Sequence, residues 1–518
     1  MTTPDENAPV LIVGGGYAGL ASALFLSGHG VRPVLVDKQS GVSIQGRARG
    51  INQRTMELYR PLGLASPIAA AGAPFDTESG VVRCESLAGE WTWLLGDDSP
   101  RAIPELTAGE YVMADQRSVE PILIDAVRGL GADIRFNTQC LSVDVDAEGV
   151  TAVTEDRVSG ERRTIRSDYL IAADGFRGAI RRRLGIDHTG PGVTQNWVTF
   201  IVEADLAGLL TQRAMLWIVV NAEIGFGSFL TTAVPGQWAI SFTYDPAKES
   251  AADFTPARCE KVARTVIGRD IPVTVLDIAC WEEAVGVADR YRDGRVFLAG
   301  DSAHVWSPAG AMGANAAVQD AHNLAWKLAG VLNGWAGEGL LDTYEAERRP
   351  VARTLADITV RRQQARFSNQ PYEDDVDDLV CALGQRYGHD SVYGDQVVGR
   401  AEPGARAPHL WLLHEGGRIT VHDLFQDAFV LLTGADGAVW TEAADKCAAQ
   451  LGVPLRAHRV GRELVDVDGA WEARYDVGRD GAVLVRPDGY VAWCAPSPTA
   501  NPEAALRGAL GRTLARLS

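Results

Sequence analysis

The first forty residues constrain this chain most. Val10-Leu11-Ile12-Val13 is a short apolar run, and Gly14-Gly15-Gly16-Tyr17-Ala18-Gly19 follows it as G-x-G-x-x-G. Leu20-Ala21-Ser22-Ala23-Leu24-Phe25-Leu26 then reads as a helix, and a second apolar run, Pro33-Val34-Leu35-Val36, ends on Asp37, 18 positions after Gly19. Strand, glycine turn, helix, strand and acid in this order predict a dinucleotide-binding βαβ unit. Gly14 lets the chain turn tightly, Gly16 lets the backbone approach a pyrophosphate, and Gly19 allows close helix–strand packing. The helix N-terminus attracts the phosphate charge, and Asp37 is placed to accept from ribose hydroxyls. Ala18, inside the turn, and Lys38, beside the acid, belong to the same predicted site.

The remaining sequence narrows the class. A chain of 518 residues is long enough for two to four domains, since domains run to about 100–200 residues. The net charge of −18 argues against nucleic acid and anionic membranes as partners, both of which favour basic surfaces. No apolar run approaches the roughly 18 residues of a transmembrane helix, and the polar, acidic opening Met1-Thr2-Thr3-Pro4-Asp5-Glu6 carries no secretory signal. The expected location is therefore cytoplasmic. Cys84, Cys140, Cys259, Cys280, Cys381, Cys447 and Cys494 are scattered with no C-x-x-C pair, so no zinc site or dithiol centre is expected.

Run lengths and patterning predict an α/β protein of interleaved regions. A Rossmann-type nucleotide domain occupies residues 1–190 and 286–367, with roughly 75–115 passing to a second domain. Residues 191–285 change to long β-rich runs such as Trp197–Val202 and Met215–Val220 and predict a central β-sheet substrate domain. A helical stretch is expected from about Asn315 to Arg366, broken near Pro350, where proline restricts the preceding residue. Residues 368–404 read as a linker and 405–518 as a small α/β domain.

A second motif adds chemistry. Asp168-Tyr169-Leu170-Ile171-Ala172-Ala173-Asp174-Gly175 is a buried strand ending in Asp-Gly, and Arg295-Val296-Phe297-Leu298-Ala299-Gly300-Asp301 returns as another. Pro308-Ala309-Gly310-Ala311-Met312-Gly313-Ala314-Asn315 then opens a helix. Its unpaired N–H groups and positive dipole end suit a site where negative charge develops.

Taken together, G-x-G-x-x-G, Asp174-Gly175 and Gly300-Asp301 followed by Pro308 resemble the single-component, FAD-dependent aromatic hydroxylases, the para-hydroxybenzoate hydroxylase-like class A flavoprotein monooxygenases. Arg47-Ala48-Arg49-Gly50 is similar to that family's R-A-x-G loop, and Gln116-Arg117-Ser118-Val119-Glu120 to its Q-x-x-x-E helix start. Gly404–His409, Asp423-Leu424-Phe425 and Arg486-Pro487-Asp488-Gly489 resemble the thioredoxin-like tail of the polyketide-tailoring and rebeccamycin-pathway branch, without a redox cysteine pair. On its own, Arg486-Pro487-Asp488-Gly489 is only a turn: Pro sets φ and Asp-Gly permits the reversal.

The resemblance implies FAD as cofactor, NADPH (or NADH) as reductant and O2 as co-substrate. A flavin C4a-hydroperoxide would pass oxygen to an aromatic, polycyclic phenolic substrate. It assigns Asp37 to the adenosine ribose, Arg47 and Gln116 to the phosphate and ribityl region, and Asp174 and Asp301 to the pyrophosphate and ribityl chain. Pro308 would lie by the reactive flavin edge, and Gly310, Gly313, Ala314 and Asn315 would hold the pyrimidine edge. His304 is either a proton relay or a structural histidine. Trp217, Phe229 and Trp238 are the candidate substrate wall, although alternating aromatics are more often core. A monomer and a homodimer both fit.

Baeyer–Villiger oxygenation and sequestration of a reactive intermediate remain open on the same scaffold. Trp91-Thr92-Trp93 lacks the Ile-Pro of the flavin-halogenase motif and lies too early in the chain. Ala311 departs from the family's P-x-G-G-x-G-x-N. If that position requires φ > 0, alanine costs about 1 kcal/mol or more.

Overall fold

The computed structural model describes residues 4–43, 45–46, 48–95, 101–210, 213–368, 376–394, 397 and 399–516. Strand Glu6–Val13 sits inside a sheet ordered Arg292–Asp293, Val296–Leu298, Arg162–Ala172, Glu6–Val13, Val34–Val36, Asp133–Arg135. It pairs in parallel with Arg162–Ala172 and Val34–Val36, and Arg162–Ala172 pairs in parallel with Val296–Leu298. Unbroken apolar runs suit these strands because a parallel sheet is covered on both faces. Helix Tyr17–Gly28 is buried along nearly its whole length and packs on helix Gly313–Leu332. A meander, Thr138–Val145 and Val150–Asp156, continues antiparallel from Arg162–Ala172.

A second sheet runs His304–Val305, Thr274–Ala288, His188–Glu203, Gln237–Tyr244, Gly225–Thr231, Ala214–Asn221, Ser79–Cys84, Thr92–Leu95. Residues from before 191 and after 285 therefore close the central sheet at its edges. Helix Pro256–Ile267 covers one face, burying Cys259, Val262, Ala263, Val266 and Ile267 against Phe200, Trp217, Phe229 and Phe242.

The helical stretch breaks elsewhere than expected. Helix Gly313–Leu332 ends at Asn333, with Gly334 at φ +75°, and a short turn Glu338–Leu341 leads into helix Asp342–Ser368. That second helix runs straight through Pro350. A left-handed glycine stops a helix sharply. The proline's lost hydrogen bond is instead tolerated because Val351, Ala352 and Leu355, just beyond it, are locked in the core.

Residues 368–404 are more than a connection. Their described part contains helix Asp378–Leu383 and the buried Gln385 and Tyr387, both of which accept from Arg348 Nη1, at 2.8 and 3.1 Å.

The C-terminal sheet is ordered Leu455–Arg459, Phe429–Thr433, Ala482–Val485, Val491–Ala495, with only the first pair parallel. Helices Ala438–Leu451 and Pro502–Thr513 pack on one face. This domain is bolted to the nucleotide domain by charge. Arg486 donates from Nη1 and Nη2 to Glu347 at 2.6 and 2.9 Å and from Nε to Asp488 Oδ1 at 2.9 Å. Lys327 Nζ and Asn323 Nδ2 each donate to Glu347 Oε2 at 2.7 Å, and Trp326 Nε1 donates to Asp488 Oδ2 at 3.1 Å. The Arg-Pro-Asp-Gly turn is thus a clamp on two helices of the nucleotide domain.

Burial would raise the carboxyls of Glu347 and Asp488, but Arg486, aided by Lys327, holds both below the usual range. Groups with depressed folded pKa values stabilise the fold above their ordinary pKa of about 4, and that contribution is lost as pH falls further. Glu347→Gln leaves Lys327 and Arg486 buried with one countercharge fewer. It should cost about 3–5 kcal/mol in urea denaturation at pH 7. The deficit should shrink on acidification below about pH 4.

Candidate flavin and substrate site

The glycine turn is shaped by contact on two sides and open on the third. Gly14 has φ +110°, and a Cβ there would stand 2.1 Å from the Ala173 carbonyl oxygen. A Cβ on Gly19 would meet the Gly14 oxygen at 1.8 Å, whereas one on Gly16 would meet nothing within 4 Å. The uncapped N-terminus of helix Tyr17–Gly28 therefore faces open space at Gly16. Asp37 is fixed beside it, accepting from the backbone N–H of Gly15 at 2.5 Å and of Gln39 at 2.6 Å. Lys38 is exposed. Ala18 is buried against the Gly300 turn, where a Cβ on Gly300 would lie 2.8 Å from its own. Its place there depends on small size.

Asp174 belongs to the adjoining turns. Its Oδ1 accepts from Ser302 Oγ at 3.0 Å and its Oδ2 from the Ile180 N–H at 3.2 Å, while the Gly175 N–H donates to Ser302 Oγ at 2.9 Å. The Asp-Gly and Gly-Asp segments thus meet through one serine, which the sequence reading had not singled out. Asp301 is exposed beside them.

The second cradle forms at residues 308–315. Pro308 is exposed, and the chain turns through Gly310 at φ +101° and Ala311 at φ +53°. Gly313 and Ala314 open the helix, and Asn315 ties the turn to its neighbours. Asn315 Nδ2 donates to the carbonyls of Gly50 at 2.9 Å and Ala311 at 2.8 Å, and its Oδ1 accepts from the Asn52 N–H at 2.9 Å. Asn52 in turn caps helix Gln53–Tyr59. Gln116 starts helix Gln116–Gly129, with its N–H on the Ala48 carbonyl at 2.8 Å and its side chain on Glu120 Oε1 at 2.5 Å. Arg47 lies outside the described residues. Its neighbour Arg49 donates to Glu78 Oε2 at 2.6 Å and Thr231 Oγ1 at 2.9 Å, joining this loop to the central sheet.

Alanine at 311 does occupy the left-handed region, so the departure from glycine carries strain. Ala311→Gly should stabilise the protein by about 1 kcal/mol. Calorimetry on the wild type and the variant checks this as an upward shift of the thermal midpoint.

His304 is directed inward. Its Nε2 lies 2.6 Å from Asp320 Oδ2, Asp320 Oδ1 accepts from Arg348 Nε at 2.8 Å, and all three side chains are 1% exposed. Trp306 stacks on its ring at 4.5 Å. Burial would raise the Asp320 carboxyl, but His304 and Arg348 lower it. The structural alternative describes this placement, since His304 braces the helix that begins after the Pro308 turn.

The expected substrate wall is corrected by strand parity. Trp217 and Phe229 are fully buried and Trp238 nearly so, in the core beneath helix Pro256–Ile267. Phe229 contacts Trp217 edge-on at 5.4 Å and stacks on Trp238 at 5.5 Å. Side chains alternate across a strand, so the opposite face presents the intervening residues. There Trp197 stacks on Trp281 at 5.7 Å, Gln45 Nε2 donates to Asp277 Oδ2 at 2.6 Å, and Trp197 Nε1 donates to Glu283 Oε2 at 3.0 Å. Gln363 also donates to Glu283, whose carboxyl burial pushes up while hydrogen bonds, among them one from Ser307, pull it back. This face therefore looks toward the loop at Gln45 and the turn at Ser307-Pro308. Phe229→Leu should lower stability by about 1–2 kcal/mol and leave the affinity for an aromatic ligand unchanged in a binding titration.

An open glycine cradle, a fixed acid at the neighbouring strand end and a second turn at a helix start define a dinucleotide-binding flavoprotein site. Residues 7–359 match the FAD binding domain family and 400–516 match the family described as aromatic-ring hydroxylase, C-terminal. The chain belongs to the FAD-dependent aromatic-ring hydroxylases, class A flavin monooxygenases, and is an FAD-dependent monooxygenase. It is 40% identical to a tetracenomycin A2 monooxygenase-dioxygenase of Streptomyces glaucescens, over 99% of this chain and 98% of that one. It is also 40% identical to a 4-methyl-5-nitrocatechol 5-monooxygenase of a Burkholderia species, over 99% of each. Among solved structures, aklavinone-11 hydroxylase with FAD and aklavinone superposes with a TM-score of 0.89 at 36% identity, covering 100% of both chains.

Proposed function

We propose that the protein hydroxylates a planar polycyclic phenol of polyketide type, using NADPH and dioxygen. The observation that carries this reading is the opposition of the Pro308 turn to the sheet face bearing Trp197 and Trp281. FAD, when bound, supplies hydride acceptance from NADPH and activation of dioxygen for insertion of one oxygen atom into an aromatic ring.

The chain's own residues bind and orient. The N–H groups at Gly16 and the following helix start would meet the pyrophosphate, and Asp37 keeps carboxylate lone pairs for ribose hydroxyls. Lys38 is near enough in sequence to contribute charge at that end. Asp174 and Asp301 would flank the pyrophosphate and ribityl chain, Gln116 would meet the phosphate and ribityl region from the helix start, and the family's R-A-x-G loop assigns Arg47 to that same region. Gly310, Gly313, Ala314 and Asn315 would hold the pyrimidine edge, with Pro308 beside the reacting position. The half-buried aromatic face opposite would exclude water from the ring.

Hydroxylase relatives at equal identity carry names of both a single-ring nitrocatechol and a fused tetracenomycin substrate. The large aromatic and apolar face here favours the fused system. Anaerobic stopped-flow reduction of the FAD-loaded protein by NADPH tests the reading. A polycyclic phenol should accelerate flavin bleaching at least tenfold. Reduction that is slow and indifferent to a panel of phenols would remove the hydroxylase assignment and favour sequestration of an intermediate.

A further inference from the structure

Three hydroxyls fall in register on adjacent strands of the flavin-facing sheet surface. Thr199 is the direct cross-strand partner of Ser241, and Ser241 is the partner of Ser228. Ala279 and Ile218 end this row on the flanking strands. One row away lie Trp281, Trp197, Thr243 and Phe226, and on the other side Asp277, Ile201, Ala239 and Leu230. Trp197, Trp281, Phe226, Ile201, Ile218 and Leu230 belong to none of the four apolar clusters that fill the domain cores. A polar stripe thus crosses a sheet face whose apolar residues lie outside those clusters, with Trp197, Ile201 and Ile218 buried and Trp281, Phe226 and Leu230 half-buried.

The protons in this row can be counted. Trp281 Nε1 donates to Thr199 Oγ1 at 2.9 Å, and the hydroxyls of Thr199 and Ser241 are 2.7 Å apart. Three donors enter two bonds, so one hydroxyl proton is left whichever way the Thr199–Ser241 bond runs. The half-buried Ser228 hydroxyl adds a further donor one strand away. Strands lie about 4.8 Å apart, so the row offers donors at fixed spacing along a line.

We infer that Thr199, Ser241 and Ser228 form a specificity row that donates to carbonyl oxygen on one edge of a rigid planar substrate. The inference rests on the proposed polycyclic substrate. A quinone-bearing phenol satisfies the row, whereas the same ring system without carbonyls leaves its buried donors unpaired. Such mismatches penalise binding more than a missing methylene does.

The test compares 2-hydroxyanthraquinone with 2-anthrol, titrated into the full-length FAD-loaded protein and read by perturbation of the flavin absorption band. The wild type should bind the anthraquinone more tightly. Thr199→Val and Ser241→Ala should each weaken it about tenfold, as loss of one or two neutral hydrogen bonds does, and change 2-anthrol less than twofold. Thr199→Ser, which keeps the hydroxyl, should retain the preference, and the unchanged 2-anthrol affinity of the valine variant shows that its loss is not misfolding. Equal losses for both ligands, or no loss for either, would overturn the specificity row while leaving the polycyclic reading in place. If neither ligand perturbs the wild-type flavin, the polycyclic reading itself falls, and the row with it.

Discussion

Helix Gly313–Leu332 is the part on which the rest of the molecule depends, and buried charge holds it. Asn315 fixes its first turn to Gly50 and Asn52, Asp320 pairs with His304 and Arg348, and Asn323 and Lys327 meet Glu347. These anchors come from the loop near residue 50, the strand end before the Pro308 turn, the helix after it and, through Arg486, the C-terminal domain. Ion pairs this deep add little net stability over apolar packing, because desolvation offsets their attraction. What they supply is position. Each charge tolerates only the geometry that neutralises it, so the helix start after the Pro308 turn is fixed by groups along the helix and in its neighbours.

That arrangement gives the C-terminal domain a physical role in holding this helix. Its Arg-Pro-Asp-Gly turn reads in sequence as a simple reversal, and its backbone is one, with Gly489 at φ +80°. The side chains were not legible as a clamp because their partners, Glu347 and Trp326, lie more than a hundred residues away. Burial of Trp326 and Trp335 with Phe429 and Trp440 in one cluster makes the two domains share a core at that seam.

The cradle was readable because glycine there answers to local geometry. Gly14 and Gly19 sit where a Cβ would collide with backbone, and Gly16 where none would be met, which the spacing alone implies. Asp37 ends the paired strand for the same local reason. The substrate wall was less legible. Seven aromatics between Trp197 and Phe242 mark a sheet with a rich interior, but composition does not say which parity points inward. Helix Pro256–Ile267, amphipathic with its apolar side on the sheet, takes Trp217, Phe229 and Trp238 into its core and leaves Trp197 and Phe226 to the other face. Likewise, Pro350 marked a boundary only while its helix was considered without the packing around it.

The two faces of the central sheet explain why function and stability separate in this domain. The face under the helix is filled, aromatic on aromatic, and any loss there creates a cavity. The side toward Gln45 and Ser307 mixes indole rings with hydroxyls whose hydrogen bonds are only partly internal. A partly buried hydroxyl row with one proton left over raises the free energy of the empty protein, since that donor lacks a partner as good as water. That cost is recovered when a ligand presents oxygen at a matching position, so the residues whose hydrogen bonding the chain leaves incomplete are the ones able to tell one flat molecule from another.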